Sequence, residues 1–335
     1  AWSVITFHDQ YDQYGQMPYV LNSLRHVTDY FSRCINDPKP DDPDDFSGYE
    51  FYVDIGSQTY DPSDTSTNIS PTPKAHSVWC PAEVINGYTA RQTCKVNASN
   101  PNSAACGSMA ATLAAASLVF ERYGTEADKA LAATYRAQAI KLAAFGRSDL
   151  VADGTALNAK GEKVLVANLN NDNAMGADNL IWAELWLHEL AKELDADYDD
   201  SHIANARDVL SAFLDAQEQY EWLEFAGWWK ADHFNHHSLM LWLQSGDATP
   251  DEIVQFEDLL VKMIDRWSDA ETGVSESPHG LHYKNNVNAF LIHRVIRSCA
   301  LASMYAHYTT DTAKRDEYIA FAESQMEYIL GDNAQ

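Results

Sequence analysis

The sequence predicts an all-α protein, a toroid of paired helices with long loops gathered at one end into a cleft. Three observations carry this. Segments with helical apolar spacing follow one another from Ser108 almost to the last residue. Several are apolar over more than one face, as Leu180, Ile181, Trp182, Leu185, Trp186 and Leu187 show, which suits an inner ring of helices covered by an outer one. No series of strand-like segments supports a doubly wound sheet, and neither G-x-G-x-x-G nor a phosphate loop occurs. An α-solenoid is the competing architecture, but no fixed-period repeat supports it. With 335 residues, 46% of them hydrophobic, one large core is affordable, and residues 1–335 read as a single domain.

The first long helix spans 17–34, where Val20, Leu21, Leu24, Val27, Tyr30 and Phe31 recur at helical spacing and INDPKPDDPDD then stops it. Residues 35–107 form an irregular loop region in which only Glu50–Ile55 alternates like a strand. A connection that long in a compact domain is usually functional. Helical segments then run through MAATLAAASLVFERYG, ADKALAATYRAQAIKLAAFG, ADNLIWAELWLHELAKEL and SHIANARDVLSAFLDAQEQY. They continue through FNHHSLMLWLQSG, PDEIVQFEDLLVKMIDRW, NAFLIHRVIRSCALASMYAHY and TAKRDEYIAFAESQMEYIL.

Acidic residues outnumber basic ones 49 to 23, for a formal charge of -26. Such a surface repels nucleic acid and anionic lipid and leaves an uncharged polymer such as a β-glucan unopposed. No run of eighteen apolar residues occurs, and the opening AWSVITFHDQYDQYG has no signal-peptide pattern, so any leader is already gone. Cys34, Cys80, Cys94 and Cys106 cluster among loops and predict two disulfides of unassigned pairing, with Cys299 left as a buried thiol. Zinc is disfavoured because no C-x-x-C pair is present. The sequons Asn68-Ile69-Ser70 and Asn97-Ala98-Ser99 mark Asn68 and Asn97 as glycosylation candidates, and with the cysteines they favour a secreted, extracellular protein.

Candidate chemistry falls into three sets. Glycosidic hydrolysis with inversion needs two carboxyls roughly 6.5–9.5 Å apart. Asp9 and Asp12, and the run Asp195, Asp197, Asp199 and Asp200, are the densest groupings, both better read as solvated turns or helix ends. The aspartate run also fits a structural calcium weakly, although Asp200 and Ala206 exclude an EF-hand loop; no cofactor is otherwise expected. Among the histidines, His233, His236 and His237 could place two rings on one helical face, but no matching acidic ligands accompany them. His188-Glu189 opens like a zinc-protease motif and fails at Lys192. Of the aromatics, Trp182 and Trp186 suit a core, while Trp79, Trp228 and Trp229 are better placed to stack on sugar.

These residues resemble glycoside hydrolase family 9, the endo-β-1,4-glucanase (cellulase) family with an (α/α)6 barrel. LNSLRHVTDYFSRC is similar to L-x-x-I-R-W-A-T-D-Y-F-x-K-C, EFYVDIG to E-F-Y-V-Q-V-G, and HSVWCPAEV to H-x-x-W-G-P-A-E. NSAACGSMAATLAAASLVF resembles G-S-D-x-A-A-E-T-A-A-A-L-A-A-A-S-x-V-F, DNLIWAELWLHELAKE resembles D-E-L-x-W-A-A-x-W-L-Y-x-A-T-G-D, and FAESQMEYILGDN resembles F-A-x-x-Q-I-D-Y-I-L-G-D-N. The resemblance implies an incomplete barrel. The family's D-A-G-D base motif is expected upstream of residue 1, and its acid Glu and H-H-R segment after the L-G-D-N of residues 330–333.

Within the span, His76 and Trp79 match sugar-contacting positions and are the expected substrate-binding residues. Other positions depart from the pattern. The acids of G-S-D-x-A-A-E fall on Ala104 and Ser108, W-D-D-K falls near Ala231-Asp232-His233-Phe234, and W-G-S-L-R-Y falls near Ala289–Arg294 with His293 at its Arg. The resemblance therefore implies a non-catalytic family member over these residues, a scaffold, assembly subunit or weak β-glucan binder. The alternative is an inverting endo-β-1,4-glucanase whose catalytic Asp pair and acid Glu lie outside these residues. Either a protein partner or further chain is expected to cover the exposed helix faces.

Overall fold

A computed structural model describes residues 1–55, 81, 83–84, 93–148, 150, 153–170, 176–216, 235–269, 274–283 and 291–331. The chain forms two compact units, Ala1–Leu214 and Asp215–Gln335.

The first unit opens with two short helices, α1 (Trp2–Thr6) and α2 (His8–Gln13), before α3 (Met17–Cys34). Helix α3 buries one stripe, Met17, Leu21, Thr28 and Cys34. Val27 and Tyr30, expected on that stripe, are instead exposed. The acidic loop after α3 is tied down by Lys141, whose buried ammonium donates to Asp37 Oδ1 at 2.8 Å and to the Lys39 carbonyl at 2.5 Å.

The core of this unit is α4 (Ser103–Tyr123), packed against α5 (Glu126–Arg147) and α6 (Ala177–Leu194). The Asn102 side chain caps α4 by accepting the Ala105 N–H. Alanine at six of the fifteen buried positions of α4 lets the neighbours approach closely. A Cβ on Gly107 would lie 2.4 Å from the Asn179 carbonyl carbon, so only glycine fits there. Helix α4 is long and apolar enough to cross a membrane, but 83% of its most apolar window is buried inside the fold, which makes it a core helix. The two-layer burial expected from sequence is realised in α4 and α6, whereas α9 (Pro250–Ser268) in the second unit buries a single stripe.

Five strands, β1 (Ile35–Asn36), β2 (Glu50–Ile55), β3 (Thr93–Asn97), β4 (Asp153–Leu157) and β5 (Lys163–Asn170), form one antiparallel sheet in chain order. Only β2 was expected. Phe51 and Val96 face each other in register and are fully buried, anchoring the sheet to the core. The β4–β5 hairpin closes on Asn158, whose Oδ1 accepts the N–H groups of Lys160 and Glu162, with Gly161 at φ +79. Helix α7 (Ser201–Ala216) completes the unit.

The cysteines correct a second expectation. Cys34 and Cys106 are buried free thiols, and Cys34, Cys94 and Cys106 form no disulfide with one another. Cys80 lies outside the described residues. Two bridges among the four are therefore not made. Cys106 sits fully buried on the first turns of α4, where Gly146 passes close to its Cβ, and behaves as a small apolar side chain. Cys299 is a buried thiol as expected, its pKa pushed up to about 12 by burial.

The second unit holds α8 (Asn235–Ser245), α9, the hairpin β6 (Ser275–Glu276) and β7 (His282–Tyr283), α10 (Leu291–Tyr308) and α11 (Thr312–Leu330). A capping box of Thr249 and Glu252, with Pro250 at the first helical position, starts α9. Asp311 caps α11, and Gly331 ends it at φ +109. Gln325 clamps the hairpin, accepting the His282 N–H at 2.8 Å and donating to the Gly280 carbonyl at 2.9 Å.

Candidate functional site

His76 and Trp79, the expected sugar-binding residues, lie outside the described residues, as do Asn68, Trp228, Trp229, Ala231–Phe234 and Ala289. The described candidates divide sharply. Asp9 and Asp12 are exposed on α2, and Asp197, Asp199 and Asp200 are exposed in the turn between α6 and α7. Asp199 accepts the Ser201 N–H at 3.2 Å and Asp195 pairs with Arg136, so the run serves a turn and a helix end. Trp182 and Trp186 pack edge-to-face at 5.4 Å, and Trp2 adds a third ring, in keeping with a core role. The sequon residue Asn97 uses its Oδ1 to accept from Ser99 and the Asn100 N–H at the turn after β3.

The two altered positions on α4 are described in full. Gly176, at φ +75, lets the start of α6 approach so closely that a Cβ there would meet the Ala104 nitrogen at 2.4 Å. Ala104 is buried in that contact. One turn on, Ser108 Oγ accepts from Asn179 Nδ2 at 2.5 Å. Both partners are neutral, although the resembling motifs carry Glu at each of the two positions. A charge-free hydrogen bond thus joins the first turns of α4 and α6, and neither side chain can accept or release a proton near neutral pH.

Beneath them lies a polar cluster that sequence reading missed. Glu184, fully buried on α6, pairs through one oxygen with Arg147 of α5. Its other oxygen accepts from His202 Nδ1 at 2.7 Å and Asn205 Nδ2 at 3.3 Å, both on α7. The carboxylate fixes the His202 tautomer with its proton on Nδ1. Burial, reinforced by the charges of Arg147 and Arg136, lowers the His202 pKa to about 4. Nearby, Tyr198 OH accepts the His202 backbone N–H at 3.0 Å and lies 2.9 Å from His188 Nδ1. A glutamate at a core-facing position of an otherwise apolar helix was the available signal.

Asp128 is a second buried acid, and Asp178 on the first turn of α6 is a third. Asp128 accepts from Arg25 Nε and Nη2 and closes a capping box with Thr125. Arg25 and the Thr125 donors hold its carboxyl far below the usual range, so it stays ionised and cannot act as a general acid. In the second unit His236 is buried, and burial with Arg297 and His236 nearby lowers the His237 pKa to about 3. Glu184 and Asp128 are committed to structural cations, and the Ser108–Asn179 hydrogen bond is uncharged. What these residues offer chemically is rigid support with neutral polar groups.

Helices joined in sequence-adjacent pairs, with a sheet and loops inserted between them, define a helix-rich class of domain. The chain belongs to that class through glycosyl hydrolase family 9, whose model it matches over residues 1–335. It is 26% identical over 343 residues to Endoglucanase B of Cellulomonas fimi, covering 99% of this chain and 27% of that protein. It is 25% identical over 356 residues to Endoglucanase 7 of Oryza sativa subsp. japonica, covering 99% of this chain and 58% of that protein. Among solved structures it is similar to endoglucanase CelQ from Clostridium thermocellum complexed with cellotetraose, with TM-score 0.70, 20% identity, and 99% and 46% of the two chains covered. The catalytic domain of Clostridium thermocellum CelT gives TM-score 0.67 at 20% identity, with 99% and 60% covered. These likenesses show the fold expected from sequence, the helical (α/α)6 barrel class. The chain spans 27% and 58% of the lengths of the two named relatives.

Proposed function

We propose that these residues act on neutral β-1,4-glucan as a binding, non-hydrolytic family 9 domain, a scaffold, assembly subunit or weak glucan binder working outside the cell. The observation that carries this is the Ser108–Asn179 hydrogen bond, which stands where the resembling motifs have carboxylates. A hydrogen bond to a charged group contributes about 1.5–3 kcal/mol against about 1 for a neutral one, so each lost carboxylate weakens the hold on a partner. His76 and Trp79 remain as the sugar-binding pair implied by the family motif. The exposed Tyr19 and Val254, at 70% and 71%, mark helix faces that a protein partner or further chain would cover.

A second reading has its own support. The relatives matched are named endoglucanases, and each extends well beyond the matched part. In that reading the protein is an inverting endo-β-1,4-glucanase whose acid and base lie outside these 335 residues.

One experiment separates them. Protein from its native source is run through gels containing carboxymethyl-cellulose, and reducing ends are measured after long incubation with the same polymer. Retarded migration without new reducing ends is expected, and Trp79→Ala should abolish the retardation. Steady release of reducing ends would overturn the non-hydrolytic reading in favour of the glucanase. Unretarded migration would remove glucan as the ligand.

A further inference from the structure

We propose that Arg294 anchors a buried anion site at the N-terminal end of α10, and that its ligand is a carboxylate. Among the described residues Arg294 is the only arginine in the buried class, 5% exposed. Arg25, Arg122, Arg136 and Arg147 are all more exposed, and each sits on a carboxylate, from Asp128, Glu193, Asp195 and Glu184. Arg294 reverses that pattern. Its Nη2 is buried without a hydrogen-bond partner. Burial alone lowers its pKa, with no neighbouring carboxylate opposing the shift. A guanidinium nevertheless remains charged in a protein, and an uncompensated buried cation is strongly destabilising. In a chain with 49 acidic residues carboxylates are plentiful, yet among the described residues none is paired with this side chain.

The helix supplies a second contribution. Arg294 stands on the first turn of α10, an 18-residue helix. Long side chains on a helix lean toward its N-terminus, where the first N–H groups lack intrahelical acceptors. The helix dipole favours negative charge at that end. Ser298 Oγ bonds the Arg294 backbone carbonyl at 2.9 Å and leaves the side chain to the ligand. A buried guanidinium fork matches a carboxylate better than a halide, because the two oxygens can be bound in parallel. A small free carboxylate and the acid group of a uronic sugar share this chemistry. The site is independent of the glucan reading, which concerns a neutral ligand.

Thermal unfolding of the whole chain tests the site at fixed pH and ionic strength, with sodium chloride replaced stepwise by sodium acetate or sodium glucuronate. The midpoint is expected to climb with carboxylate and then to rise by a constant step per tenfold of ligand, as binding to the folded state alone requires. Arg294→Met should lose that dependence and, in chloride, unfold no lower than the parent, since it removes the unpaired cation. Arg294→Lys keeps the charge without the fork and should bind at least tenfold more weakly. Glucuronate at least tenfold tighter than acetate would identify an acidic sugar, and equal affinities a small carboxylate. Identical midpoints in all three salts would overturn the proposal. So would an Arg294→Met variant that keeps the dependence or, should that variant not fold, an Arg294→Lys variant that binds as tightly as the parent.

Discussion

Replacing Glu184 by Gln isolates the ionic contact at the centre of the first unit. The change keeps shape and leaves an oxygen for His202 and Asn205, but it strands the Arg147 cation. Breaking a fully buried pair from one side costs about 3–5 kcal/mol. Arg147 is 27% exposed and can recover part of its hydration, so the expected loss is about 2–3 kcal/mol. Arg147→Met should cost more, about 3–5 kcal/mol, because it strands the carboxylate, which is 0% exposed. The double variant should fall short of the sum of the two losses by about 2 kcal/mol, because once both charges are gone neither is left unpaired. Guanidinium unfolding followed by far-UV circular dichroism gives all four corners of the cycle, provided the denaturant slopes agree. A Glu184→Gln loss under about 1 kcal/mol, or additivity within about 0.5 kcal/mol, would refute the placement of this pair as a buried, coupled contact.

Three further outcomes follow from the geometry. His202 titrates near 4 in the folded protein and near 6.5 unfolded. The unfolded chain therefore binds the extra proton between those values, and stability, complete above about 6.5, falls as pH drops toward 4. Urea midpoints measured from pH 7 to 4 should show a loss of up to about 3 kcal/mol that His202→Gln flattens; an unchanged slope would contradict it. Asp128→Asn should cost about 2–3 kcal/mol at pH 7, since it weakens both the Arg25 pair and the α5 cap. Because the folded Asp128 pKa is depressed, this difference should begin to shrink as pH falls below about 4 and be only partly lost at pH 3, which thermal scans at pH 7 and pH 3 would show. Gly107→Ala places a methyl 2.4 Å from the Asn179 backbone and should cost about 1–3 kcal/mol or more, whereas a midpoint unchanged within error would mean α4 and α6 pack less tightly than described.

Helices proved the most legible part of the molecule. The segments read as 177–194 and 312–330 coincide with α6 and α11 at both ends. Their boundary signals, Gly176 before α6 and Asp311 and Gly331 around α11, lie within a residue or two of the positions they control. The sheet was less visible. Strand β1 has two residues, too few for any alternation to appear, and β4 and β5 lie far along the chain from the β3 edge they extend. The expected pair of disulfides was not made among the described cysteines for a related reason. Cysteines that cluster in sequence need not meet in space, and Cys106 turned into the α4 core.

What sequence alone determined is local: where helices start and stop, that Cys299 would be a buried thiol, that the His188-Glu189 and aspartate motifs were broken, and which family the ordered motifs resemble. Tertiary structure decided the partners, such as Ser108 with Asn179, Arg147 with Glu184 and Arg25 with Asp128, and left Nη2 of Arg294 buried without one. The physical reason is range. Helical periodicity and caps are settled among residues a few positions apart, whereas a buried charge or hydrogen bond acquires its meaning from a side chain that only folding brings near.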